Sequence, residues 1–225
     1  MQNGDKPRFV NTAEEVDRLW KLQTQTSELV RSGKRSATSL ANVLQAFMTG
    51  SVCAEFGESS KFALLADLGI ITVPDDYVHA TALAKFSEKN RNKFYYYNDY
   101  ITDKNFPNPT RILKPGDKLR VRAFEQVAPG TTTSEERMAF LATQKAIHTG
   151  AQGASLVLDQ KRYQLPKGKW YASFDEKYRL WADADGDHGV PGVDCHSDGG
   201  FGFDLGVFEN VWYLAHAFLC FCDVE

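Results

Sequence analysis

The chain has 225 residues, 43% of them hydrophobic and 24% charged, with a formal net charge of −3. That length suits one large domain or a small module beside a medium one, and the composition excludes wholesale disorder and a fibrous chain. No apolar run reaches the roughly 18 residues of a membrane-spanning helix, and MQNGDKPRF lacks the apolar core of a secretory signal. The reading is a soluble chain without a signal peptide, cytoplasmic by default, reaching a surface only by another route.

The charge is unevenly placed. Residues 1–179 hold all 26 Lys and Arg with 20 Asp and Glu, hence +6, whereas residues 180–225 hold nine carboxylates and no Lys or Arg, hence −9. A strongly basic nucleic-acid binder is not favoured by this balance. With no export signal, Cys53, Cys195, Cys220 and Cys222 are expected as reduced thiols.

Residues 13–49 read as a helical hairpin. Val16, Leu19, Trp20 and Leu22 form one apolar stripe behind a Thr12 cap, and Leu40, Val43, Leu44 and Phe47 form another, stopped by Gly50. Arg31, Lys34 and Arg35 in its turn could touch nucleic acid or be solvated. The polar EFGESS marks a boundary, placing the hairpin in residues 1–58 and a second domain in 59–225.

From Lys61 an apolar segment runs to a Val-Pro-Asp-Asp break, then a short helix containing His79, then the β-forming KFYYYNDY, whose aromatics suit strand packing or base stacking. TRIL, the Pro115-Gly116 turn and KLRVRAF read as a β-hairpin, with Lys118, Arg120 and Arg122 on its wet side. TTTSEERMAFLATQKAIHTG is a capped helix ending at Gly150. GASLVLDQ and GKWYASFDE read as strands, and FLCFCDV as a buried closing strand. Trp170, Phe174, Trp181, Phe201, Phe203, Phe208, Trp212 and Phe221 are expected mostly buried, since each aromatic ring removes about 150–250 Å² from water.

Three constellations could carry chemistry. Asp183, Asp185 and Asp187, with Asp194 at position twelve, resemble a calcium loop, although His188 replaces its glycine. With His188 and His196 the same aspartates give the enzyme alternative, a divalent-metal-dependent hydrolase. Cys195, His196, Cys220 and Cys222 have ligand types for zinc, but a Cys-x-Cys strand pair is not zinc-knuckle spacing, and burial is the favoured role.

The last pattern is GGFGFDLGVFENVWYLAHAFLCFCDVE. Phe201, Phe203 and Leu205 alternate with Gly200, Gly202 and Asp204, Phe208 and Trp212 continue as anchors, and Tyr213 to Ala217 keep no periodicity. Following SFDEKYRLWADADG and closing with FLCFCDVE, this tail resembles the variable proteins of diversity-generating retroelements, whose C-terminal part adopts a C-type-lectin fold. The resemblance covers roughly residues 65–225.

It implies an α+β fold, a C-type-lectin-like domain preceded by the helical hairpin. It also implies display of a diversified surface to an unknown protein or surface ligand, without catalysis and without a cofactor. The expected ligand-binding positions are Asp194, Cys195, His196, Gly200, Gly202, Val207, Asn210, Tyr213, Leu214, Ala215, His216 and Ala217. Asn codons altered at both adenines never yield Lys, Glu, Gln, Met or Trp, and none of those five occurs among the twelve.

Overall fold

Alternation governs the strand that organises the domain: in KLRVRAFEQ, Leu119, Val121 and Ala123 are fully buried while Lys118 and Arg120 face solvent. The computed structural model describes residues 60–224, so the expected helical hairpin with Arg31, Lys34 and Arg35 lies outside the described residues. The strands are β1 (Phe62–Thr72), β2 (Tyr96–Tyr97), β3 (Lys118–Gln126), β4 (Lys169–Ala172), β5 (Trp181–Ala182), β6 (His188–Cys195), β7 (Phe201–Val207) and β8 (His216–Asp223). They form one mixed sheet in the order β1-β3-β8-β4-β6-β7-β2, with β5 paired to β6. The helices are α1 (Ala82–Asn90), α2 (Ser134–Thr143) and α3 (Gly150–Gln160). The described domain is therefore α+β, and none of its helices is long and apolar enough to cross a membrane.

Helix α2 begins as its sequence dictates. Thr133 Oγ1 accepts from the Glu136 N–H and the Glu136 carboxylate accepts from the Thr133 N–H, a complete capping box. Two expected strands are corrected. GASLVLDQ is helix α3, buried from Gly150 through Leu158, because a short apolar run carries no periodicity that separates a buried strand from a buried helix. Gly150 accordingly opens α3 and does not end the preceding helix. TRIL is not a strand: Asp175 captures the Thr110 N–H and hydroxyl, and Arg111 N–H goes to the His148 carbonyl. The partners of β3 are β1 and β8. His79 sits in a 3-10 turn just before α1, and KFYYYNDY contributes only the two residues of β2.

The two faces of the sheet are covered differently. On one, Phe203, Val193, Tyr171, Ala217 and Phe221 follow one another across β7, β6, β4 and β8, all 2% exposed or less, beneath α1 and α3. On the other, Phe140 of α2 packs with Phe62, Phe124 and Phe218 over β1, β3 and β8. Beyond β8, over β4, β6 and β7, that second face carries no helix among the described residues. Six of the eight expected aromatic anchors are buried; Trp170 is half-buried on this open part of the sheet, and Trp181, opposite Gly189 at the start of β6, is half-buried on the other face beside Leu205.

Candidate functional site

His216, Trp170, Asp194, Gly202 and Tyr96 stand opposite one another in successive strands, from β8 through β4, β6 and β7 to β2. Residues directly opposed share a face, so this row lies on the open side. Two glycines make its floor. A Cβ on Gly192 would fall 2.0–2.5 Å from the Trp170 indole, and one on Gly206 would fall 2.8 Å from Trp212 and 3.0 Å from Trp170. Only hydrogen at those positions lets the two indoles lie on the sheet, stacked at 5.5 Å and 23°. Beside them opens a groove of about 410 Å³, walled by Asp194, Leu205, Val207, Asn210, Val211, Tyr213 and His216 as well as the two tryptophans.

The segment between β7 and β8 forms the rim. Phe208 and Trp212 are buried to 4% and 3% exposure, and the Trp212 indole N–H donates to Ser134 Oγ at 2.8 Å, which donates in turn to the Phe208 carbonyl. Thr132 and Trp212 exchange both backbone hydrogen bonds. Arg137, fully buried, donates to Thr132 Oγ1 and to the carbonyls of His216 and Tyr213. Its guanidinium lies over the Trp212 and Phe218 rings and pairs with no carboxylate among the described residues. Burial lowers its pKa to about 10, which still leaves it protonated at neutral pH. Lys169 Nζ donates to the Leu214 carbonyl and the Trp170 N–H to that of Ala215. Every carbonyl from Tyr213 to His216 is thus held by a group outside the segment, while the side chains of Tyr213, Leu214 and Ala215 are exposed.

Of the twelve expected positions, Asn210, Tyr213, Leu214 and Ala215 are exposed, and Asp194, His196, Gly200, Val207 and His216 are half-buried. Asp194, Val207, Asn210, Tyr213 and His216 meet at the groove. His196 lies next to Asp194, its Nε2 3.4 Å from the carboxylate, and its ring lies tilted against that of Tyr95. Three positions are corrected. Strand alternation turns Cys195 inward, with its thiol toward the Leu165 carbonyl, and turns Ala217 inward against Tyr171. Gly202 is covered by Asp194 and Tyr96. Trp170 and Tyr96 were absent from the expected set; Trp170 was visible only as an aromatic anchor, since nothing local says that its strand lies beside β8.

His216 joins rim and floor. Its Nδ1 accepts from the Tyr213 N–H at 3.2 Å, and its ring packs edge-on to Trp170 and Trp212. Burial, reinforced by the Arg137 guanidinium, lowers its pKa against the opposing pull of Asp194.

The aspartate loop is a turn between β5 and β6. Asp183 accepts from the N–H groups of Asp185 and Asp187 with its carboxylate, and Asp194 and His196 lie at the far end of β6, about 20 Å away by strand rise. Among the described residues no three His, Cys, Asp or Glu side chains gather as a metal-holding group. The Cys220 and Cys222 sulfurs share a strand face at 3.7 Å, and burial pushes the Cys220 thiol up to about 12. Arg122 is turned to those sulfurs and Arg120 is paired with Asp67. The chain matches no protein family, no curated protein and no solved structure.

Proposed function

We propose that the chain is a ligand-binding display protein of the kind diversified by retroelements, with a C-type-lectin-like domain whose C-terminal face recognises varying partners. One observation carries the reading: the rim from Tyr213 to His216 is held through its backbone carbonyls by Arg137, Lys169 and Trp170, none of which belongs to it. A segment held in that way keeps its course whatever side chains stand at Tyr213, Leu214 and Ala215, which is what a diversified surface requires, while the His216 ring is itself part of the hold. The aromatic pegs Phe208 and Trp212 lie outside the exposed set, and Trp is a residue that adenine-directed change of an Asn codon cannot produce. The lectin-like assignment is supported by the order strand, two helices, strand, hairpin and closing strand, with β8 returned beside β3.

The test is genetic first. DNA near the gene should contain a reverse transcriptase and a near-copy of the segment encoding residues about 190–217, differing only at adenines. A library randomised at Tyr213, Leu214 and Ala215 should then yield folded binders to unrelated proteins. Absence of the near-copy together with a library that largely fails to fold would overturn the reading.

A further inference from the structure

The outer edge of β7 is only half used. On its inner side β7 pairs with β6 from Gly189 to Cys195, and on its outer side β2 pairs with Gly202 and Phe203 alone. Phe201 and Phe203 turn their carbonyls outward, to Tyr95 N–H and Asn98 N–H, and Phe208 N–H turns inward to His188. The period of two therefore points the backbone of Leu205 and Val207 outward as well. Pro191, which opposes Leu205, has no N–H to offer, and its carbonyl is taken by the Ser173 N–H just after β4. Leu205 N–H is held by the Asp204 carboxylate and the Val207 carbonyl by Asn210 N–H. The Leu205 carbonyl and the Val207 N–H have no partner among the described residues. These two groups are what one residue of a parallel strand would bridge, opposite Gly206.

A hollow lies on each face of that edge. On the Gly206 face is the Trp170–Trp212 groove with Asp194. Leu205 points to the other face, against Trp181, where a second hollow of about 510 Å³ is lined by the stacked Tyr100–Trp181 pair and by Asp183, Asp185 and Asp187. No Lys or Arg lines either hollow.

We propose that this edge accepts an extended, basic segment of a partner protein as an added strand, parallel to β7 and continuing the line that β2 leaves at Asn98. The bridging residue of the segment turns its side chain into the tryptophan groove. Its two neighbours turn theirs into the aspartate hollow, where Lys or Arg meets carboxylates and aromatic faces together. Main-chain bonds supply attachment and the alternate hollows supply selection. The proposal rests on the display reading for the tryptophan groove alone; the edge and the aspartate hollow stand without it.

The experiment titrates the full chain with acetylated pentapeptide amides, Val-Arg-Val-Arg-Val and its Glu and N-methylated versions, followed by backbone amide NMR. Saturable binding should move the Val207 amide and protect it from exchange. Replacing both Arg by Glu, or N-methylating the central Val, should weaken binding by about tenfold or more. The triple variant Asp183→Asn, Asp185→Asn, Asp187→Asn should do the same; Asp185→Asn, Asp187→Asn tests the charge if loss of Asp183 disturbs the turn. Equal binding by the N-methylated peptide, or no saturation at millimolar peptide, overturns strand addition. Binders from a rim library alongside either result would leave display standing and remove only the edge, so the two failures are distinct.

Discussion

One face of the sheet has two halves that solve the same problem differently. Over β1, β3 and β8 the rings of Phe62, Phe124, Phe140 and Phe218 are packed under α2, and little of that surface sees water. Over β4, β6 and β7 the floor is Gly192 and Gly206, and the covering consists of two indoles and a strap of chain. The open half is held by groups reaching out from the closed half: Ser134 and Arg137 both stand on α2. A sheet face can thus stay open to solvent while its covering is pinned from a neighbouring core.

The comparison is broken most severely at the pins. Trp212→Ala removes a buried ring shared by Arg137, Trp170 and Phe174, and should cost about 3–5 kcal/mol in urea unfolding. Arg137→Met removes the donor to the His216 carbonyl and one partner each of the Thr132 hydroxyl, which still bonds Gln126, and the Tyr213 carbonyl, which still accepts from the His216 N–H; it should cost about 2–4 kcal/mol, with increased hydrogen exchange from Tyr213 to His216 and little change in α3. Gly192→Ala forces Trp170 off the floor; about 1–3 kcal/mol and an altered tryptophan emission are expected, with the closed half unaffected.

Acid should act on the open half next. His216 has a lowered pKa, so its neutral form stabilises the fold fully above the ordinary histidine pKa of about 6.5. Below that value the unfolded chain takes up the proton first, and the contribution is lost as pH falls through the lower folded value. Thermal melts between about pH 7.5 and 5 should show a stability loss that His216→Asn reduces. The smallest effect is expected at the rim side chains. Serine at Tyr213, Leu214 or Ala215 should change stability by no more than about ±0.5 kcal/mol each, since their carbonyls, not their side chains, are held. A larger loss would mean that the rim is built from its side chains after all.

Features that depend on neighbours along the chain are legible in its residue order. The alternation in KLRVRAF, the Thr133–Glu136 capping box and the buried strand FLCFCDV all follow from local period and local hydrogen bonding. GASLVLDQ was ambiguous for the same reason, because an apolar run without polar punctuation carries no period, and its helical state is decided by burial between α1 and the sheet. Tertiary structure alone placed β8 between β3 and β4, which set Trp170 beside His216 and turned Ala217 and Cys195 inward. It alone brought Arg137 under a rim some 76 residues away in sequence. A buried arginine without a carboxylate leaves no mark on local pattern, since the carbonyls it satisfies belong to every residue alike and only the fold decides which of them lack a partner.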